Sequence, residues 1–285
     1  MKRLIVLIGV VGISASAVLV RWSTAPSMVL VLYRMTIAVL MLSLPVLLKN
    51  RGELKSLTKK EWLLTMAAGC CLGLHFSAFF ESLRHTSIAA SVVLSDVEVL
   101  FVALGSVLVL RRKLSGQCWL AVALAFVGAV MVALAGSDGG QSGLWGNALA
   151  MGSAFLLAMY TMIGTSVRSR ISNTTYTFVA YFFAAVTVLV ISLISGTPLT
   201  GYGANNWLTA LGMAVLCTLM GHSVFTWGLK YLPPAYISTV KLLDPVFSAV
   251  WGLLLFQEKP TVLVIVGGVI VIAGVFIYGR ATEEE

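Results

Sequence analysis

The sequence predicts an all-α membrane protein with ten transmembrane helices in two inverted five-helix repeats. Three observations carry that prediction: the composition, the placement of the cations and a weak internal repeat. Of the 285 residues, 59% are hydrophobic and 11% charged, whereas a soluble domain carries about 25% charged residues. The net charge is +8 and the pI about 9.5. Basicity alone would fit a nucleic-acid partner, but the positions of the cations give it another meaning.

Apolar runs fall near 4–21, 26–48, 61–83, 88–110, 116–135, 143–165, 174–195, 206–229, 235–256 and 260–279. Each is close to the roughly 17–25 residues that cross a ~30 Å hydrocarbon core as a helix. The opening "MKRLIVLIGVVGISASAVLV" has the basic start, apolar core and small residues of a leader. It is read as a retained first span, because cleavage would break both the ten-span pattern and the repeat. With the N-terminus in the cytoplasm, 14 of the 19 Lys and Arg residues fall on inner segments. Arg21, Arg84 and Lys259 fall outside, and Arg34 and Lys241 fall within spans. Such a bias places both termini in the cytoplasm of an inner-membrane protein. The charge is then a topology signal, and no nucleic acid is needed to explain it.

The repeat appears at an offset of 147 residues, which pairs Arg21 with Arg168, His75 with His222, Ser91 with Ser238 and Gly105 with Gly252. It divides the chain into repeat 1 over 1–138 (spans 1–5) and repeat 2 over 139–285 (spans 6–10). Five spans per repeat force the second to enter the membrane in the opposite sense. Inverted repeats are a transporter architecture, with the solute bound near the midplane between the halves.

Several stretches resemble a known family: "LVLYRMTIAVLML" in span 2, "SLRHTSIAASVVL" and "GLKYLPPAYISTV" at the 3–4 and 8–9 turns, and "DPVFSAVWGLLLFQEK" in span 9. With the glycine-spaced spans 5 and 10, they resemble the drug/metabolite transporter superfamily, in its ten-span form with two EamA-like repeats. The resemblance implies secondary transport and no cofactor. It includes exporters of amino acids, other metabolites and cationic drugs, and exchangers of sugar phosphates and nucleotide sugars. One position departs from the pattern. Span 9 keeps its central proline as Pro245, but the repeat mate in span 4 is Glu98.

Ionisable groups in a bilayer are costly and should face a cavity or a partner. In span 4, Asp96 lies about 12 Å and Glu98 about 15 Å from the outer end, on opposite helix faces. Glu98 shares its face with Ser91, Ser95 and Gly105, so it is the favoured working acid, able to titrate and couple solute to a proton. Arg34, at the depth of Asp96, either pairs with that acid or clamps a solute carboxylate. His75 and His222 are candidate proton carriers or packing histidines. Lys241 and Asp244 stand three residues apart in span 9 and can neutralise each other. Tyr160, Tyr176, Tyr181, Trp227 and Trp251 are aromatic candidates for the cavity wall, with Tyr181 singled out as the repeat mate of Arg34. Glu81 adds an acid near the outer mouth.

The four cysteines, Cys70, Cys71, Cys118 and Cys217, lack metal-ligand spacing. No HExxH, GxSxG or Walker A motif is present, so an enzyme or primary pump has no sequence support. A scaffold would not need buried charges. The expectation is therefore a secondary transporter, an exporter of a small organic solute, with proton coupling, exchange and facilitated diffusion all open. Monomer and homodimer are both open as well.

Overall fold

In hydrocarbon no water is available to pair a bare N–H or C=O, so apolar runs of this length must satisfy their backbone internally as helices. The computed structural model describes residues 2–85, 91, 94–135, 143–257 and 261–281, and among these it contains helices and no strand. In chain order they are α1 (Lys2–Arg21), α2 (Ser27–Pro45), α3 (Arg51–Ser56), α4 (Lys59–His85), α5 (Glu98–Leu108) and α6 (Gly116–Ala135). Next come α7 (Leu144–Val167), α8 (Asn173–Ile194), α9 (Ala204–Gly212), α10 (Ser223–Gly228), α11 (Pro234–Lys241), α12 (Asp244–Phe256) and α13 (Val262–Ala281). Two π-helical segments interrupt the pattern: Val46–Asn50 joins α2 to α3, and Met213–His222 joins α9 to α10.

Among the described residues, 7 helices are long and apolar enough to cross a membrane. They cover 27–56, 59–82, 144–167, 173–194, 204–228, 234–255 and 262–281, and Gly116–Met131 is a shorter apolar helix. The expected first span is the 20-residue α1. The expected fourth, 88–110, lies partly outside the described residues. Seven is thus the number the described helices give, beside the ten expected from sequence.

Two expected spans are broken. The chain turns at Val97 before α5 and at Leu242–Leu243 between α11 and α12. The second break has an evident cause, because Pro245 occupies the first turn of α12 and cannot donate to the preceding turn. At the first break there is no proline. Glu98 itself opens α5, as Asp244 opens α12. Each acid therefore sits at the positive end of a short helix, where a carboxylate is favoured.

The helices that frame the centre are α1, α2, α4 and α7 with the π-helical segment Met213–His222. Helix α4 packs along α7 and α8, and α1 along the π-helical segment. Helices α6 and α13 pack mainly on each other, to one side. Their contact is close: a Cβ added at Gly274 would lie 2.6 Å from the Ala125 backbone nitrogen and 2.8 Å from the Ala121 carbonyl oxygen. Only a residue without a side chain lets two backbones approach that far.

Gly152 on α7 offers the contrast, since nothing lies within 4 Å of a Cβ built there. Gly274→Ala should lower stability by about 1–3 kcal/mol through overpacking. Gly152→Ala should leave it unchanged or raise it by about 0.5–1 kcal/mol through helix propensity. Thermal unfolding of the two variants in detergent checks the difference, and equal midpoints would show that the α6–α13 contact is loose.

Candidate functional site

The broken helices bring one acid and one base from opposite halves of the chain into contact. Lys241, the last residue of α11, lies with Nζ 2.9 Å from Glu98 Oε1, at the first residue of α5. The same oxygen accepts hydrogen bonds from the hydroxyls of Thr161 (3.1 Å) and Ser238 (3.0 Å). Glu98 is only 4% exposed. Partner and hydroxyls together offset the cost of withdrawing this carboxylate from water.

This arrangement revises three expectations. Lys241 makes its ion pair with Glu98 and, among the described residues, none with Asp244, which stands beyond the break at Leu242–Leu243. Asp244 instead accepts a 3.3 Å hydrogen bond from Ser248. Glu98, expected as the free titrating acid, is the partnered one. Nor does Arg34 pair with Asp96. Its Nε donates to Thr218 Oγ1 at 2.6 Å, and its guanidinium carbon sits 4.8 Å from the centre of the Phe76 ring. Among the described residues no carboxylate lies within ion-pair distance of Arg34, although that residue is 2% exposed. Asp96 has a buried Oδ2 that no donor reaches.

These groups surround one cavity of about 160 Å³. That is well above the roughly 10–15 Å³ that one water needs, so the cavity has room for several waters or a small solute. Helix α1 contributes Ile13 and Ser16, α2 contributes Arg34, and α4 contributes His75, Phe76, Phe79 and Phe80. Ser95, Asp96 and Glu98 come from the first broken span, Lys241 and Asp244 from the second. Leu157, Cys217 and His222 complete the wall, and among the described residues none of α6, α8 or α13 lines it.

Sequence reasoning named Arg34, His75, Asp96, Glu98, His222, Lys241 and Asp244, and all of them line this cavity. His75 and His222 flank Phe76, with ring centres at 5.0 and 5.4 Å from it. His75 Nδ1 lies 3.0 Å from the Ser153 carbonyl oxygen. A carbonyl can only accept, so Nδ1 carries a proton.

All five aromatic candidates lie off the cavity wall. Tyr181 is buried behind the wall, its hydroxyl 3.3 Å from the Thr218 carbonyl and 3.0 Å from the Ser223 hydroxyl. Trp251 donates from Nε1 to Ser14 Oγ at 3.0 Å, and Trp227 packs on Tyr231. Each is absorbed by a neighbour, as aromatics with a polar atom usually are when buried. Tyr160 and Tyr176 lie against each other, with ring centres 6.2 Å apart, away from the wall. Glu81 meets His85 at 3.1 Å near the helix end.

Sequence reasoning missed Thr218, Thr161 and Ser153. Single hydroxyls in apolar runs give no signal of which polar group they will meet. Among the described residues no cluster of His, Cys, Asp and Glu could hold a metal ion.

A family model for EamA-like transporters matches residues 2–134 and 144–280. The chain belongs to the EamA-like transporter family. It is a multi-pass membrane transporter, a class that is generally not enzymatic. An uncharacterized transporter of Archaeoglobus fulgidus is 29% identical over 227 residues, covering 76% of both chains. The pseudopaline exporter CntI of Pseudomonas aeruginosa is 24% identical over 264 residues, 92% of this chain and 89% of that one. One crystal structure superposes with a TM-score of 0.84 at 14% identity, covering 98% of this chain and 97% of its own, which shows a shared fold.

The ion pair gives a stability test. Removing one partner of a buried pair leaves an uncompensated charge and costs about 3–5 kcal/mol, whereas replacing both by apolar groups is often near neutral. Lys241→Met alone should therefore destabilise more than Lys241→Met combined with Glu98→Leu. Unfolding of the two single variants and the double variant measures the coupling, and additive losses would contradict a direct pair.

Proposed function

We propose that the chain is a secondary transporter that exports a small dipolar organic solute across the cytoplasmic membrane. Its two inverted five-span halves, ten spans in all, alternate access to the central cavity, and both termini are cytoplasmic. The observation that carries this reading is the charge arrangement at the cavity wall. Among the described residues Arg34 has no carboxylate partner and Asp96 Oδ2 no donor. A carboxylate end of a solute would meet Arg34, and an ammonium end would meet Asp96, each completing a partnership that the protein leaves open.

Element boundaries support the two-halves reading. Shifted by 147 residues, Ser27–Pro45 falls on 174–192, against α8 at Asn173–Ile194. Gly116–Ala135 likewise falls on 263–282, against α13 at Val262–Ala281. The export direction is supported by a relative named as an exporter.

Where flux is proton-coupled, the coupling acid is Asp96. Glu98 has its charge balanced by Lys241 and two hydroxyls, so protonating it would strand a buried ammonium. Asp96 can gain and lose a proton without breaking an ion pair. In proteoliposomes, Asp96→Asn should abolish pH-gradient-driven uptake while leaving some downhill exchange. Persistence of gradient-driven uptake in a folded Asp96→Asn protein would remove the acid from this role.

Solute class is checked by thermal stabilisation with alanine, ethylamine and propionate, which share a skeleton and differ in their charged ends. Alanine should stabilise more than either single-ended compound, and Arg34→Gln should erase the difference. Equal effects of alanine and ethylamine would favour a purely cationic solute.

A further inference from the structure

The bundle is fastened at both ends by polar contacts that the cavity does not use. At the end that holds Lys2 and Gly279, Glu53 of α3 reaches across to the start of α8. Its carboxylate accepts hydrogen bonds from the backbone N–H and hydroxyl of Ser172, the hydroxyl of Thr175 and the side-chain amide of Asn50. Ser172 is the residue that caps α8. At the opposite end Asn206 of α9 reaches across to the segment before α2. Its Oδ1 accepts from the backbone N–H groups of Thr24 (2.8 Å) and Ala25 (3.0 Å) and from the Ser23 hydroxyl (2.9 Å). Next to it Tyr33 stacks on Trp207 with ring centres 3.8 Å apart.

These fastenings correspond to each other. Ala25 and Ser172, whose N–H groups are captured, are 147 residues apart. In one case an acid of the first half holds the second half, and in the other an amide of the second half holds the first. Both captured segments open a helix, where backbone N–H groups have no intrahelical acceptor and need one from outside. Both also lie at the ends of the bundle, so water can replace the lost acceptor when the ends part. The net cost of opening is then small for each contact. The central Glu98–Lys241 pair has no such substitute and stays shut.

The geometry points to Glu53 and Asn206 as a pair of gate latches, each closing one end of the solute path. This rests on the alternating-access reading above. The two are unequal in chemistry. Glu53 makes charge-assisted bonds at a helix N-terminus, and Asn206 makes neutral ones. The Asn206 end is therefore the easier to open, and the cavity extends along α4 from His75 to Phe80 towards that end. Opening at one end breaks its own latch and leaves the other closed, which is what separates a transporter from a channel.

Cys217 supplies the reporter, because it lines the cavity and is 0% exposed. It is kept as the sole cysteine, with Cys70, Cys71 and Cys118 replaced by alanine, in the full chain. A membrane-impermeant cationic methanethiosulfonate is then applied to cells and, separately, to everted vesicles. Glu53→Ala should speed labelling from the Glu53 side by about tenfold, the scale set by losing one charge-assisted bond of the closed state, with no change from the other side. Asn206→Ala should do the reverse by a smaller factor. Glu53→Gln keeps an acceptor oxygen and should fall between Glu53→Ala and the parent. If Glu53→Ala does not fold, Glu53→Gln and Asn206→Ala carry the same comparison. Equal acceleration from both sides, no acceleration, or an unreactive Cys217 in every form overturns the latches. Labelling needs no solute, so a protein with sided labelling but no flux would keep the latches and lose the transport reading. A transporting protein without sided labelling would lose the latches alone.

Discussion

The contact between Lys241 and Glu98 is the constraint around which the centre of the molecule is arranged. A carboxylate and an ammonium placed deep in an apolar bundle each carry a desolvation cost of several kcal/mol unless they meet. They come from sequence positions 143 apart, and their 2.9 Å contact joins the two broken helices. Ser238 and Thr161 fill the remaining acceptor capacity of Oε1. Asp244 is left on the far side of the second break, opening its own helix. Because this pair is internally complete, the wall groups that remain available are the ones without such partners, chiefly Arg34 and Asp96.

A second organising contact lies beside the first. Arg34 and Tyr181 are 147 residues apart and meet on the same residue, Arg34 at the hydroxyl of Thr218 and Tyr181 at its carbonyl. Thr218 belongs to the π-helical segment Met213–His222, and its hydroxyl reaches back to the Met213 carbonyl five residues earlier. A wider helix of this kind is uncommon and frequently marks functional sites. Here it carries Cys217 and His222 on the cavity wall while offering Thr218 to Arg34. The matching stretch of the first half, within α4, is regular.

Much of the fold was legible in the sequence because a bilayer leaves few choices. A long apolar run must be helical, and among the described residues seven helices are long and apolar enough to cross a membrane. The site was legible as a set of residues, since an ionisable group in hydrocarbon is conspicuous by its cost. Its pairing was not. Helical periodicity suggested Lys241 with Asp244, and equal depth suggested Arg34 with Asp96. Neither rule registers a helix break, and at the break that follows it Lys241 makes its ion pair with Glu98.

By itself the sequence determined helical membrane architecture, a family and a short list of ionisable residues within apolar runs, but not that Arg168, read as a cation of an inner segment, is buried. The first and last follow from local composition and spacing, and the family from the resemblance of a few stretches of sequence. Only the tertiary structure decided that Lys241 serves Glu98, that Thr218 takes Arg34, and that Glu53 and Asn206 fasten opposite ends. Those outcomes depend on which helix faces which, and on where the backbone departs from regular geometry. No local property of the chain encodes either, because partners more than a hundred residues apart are chosen by packing.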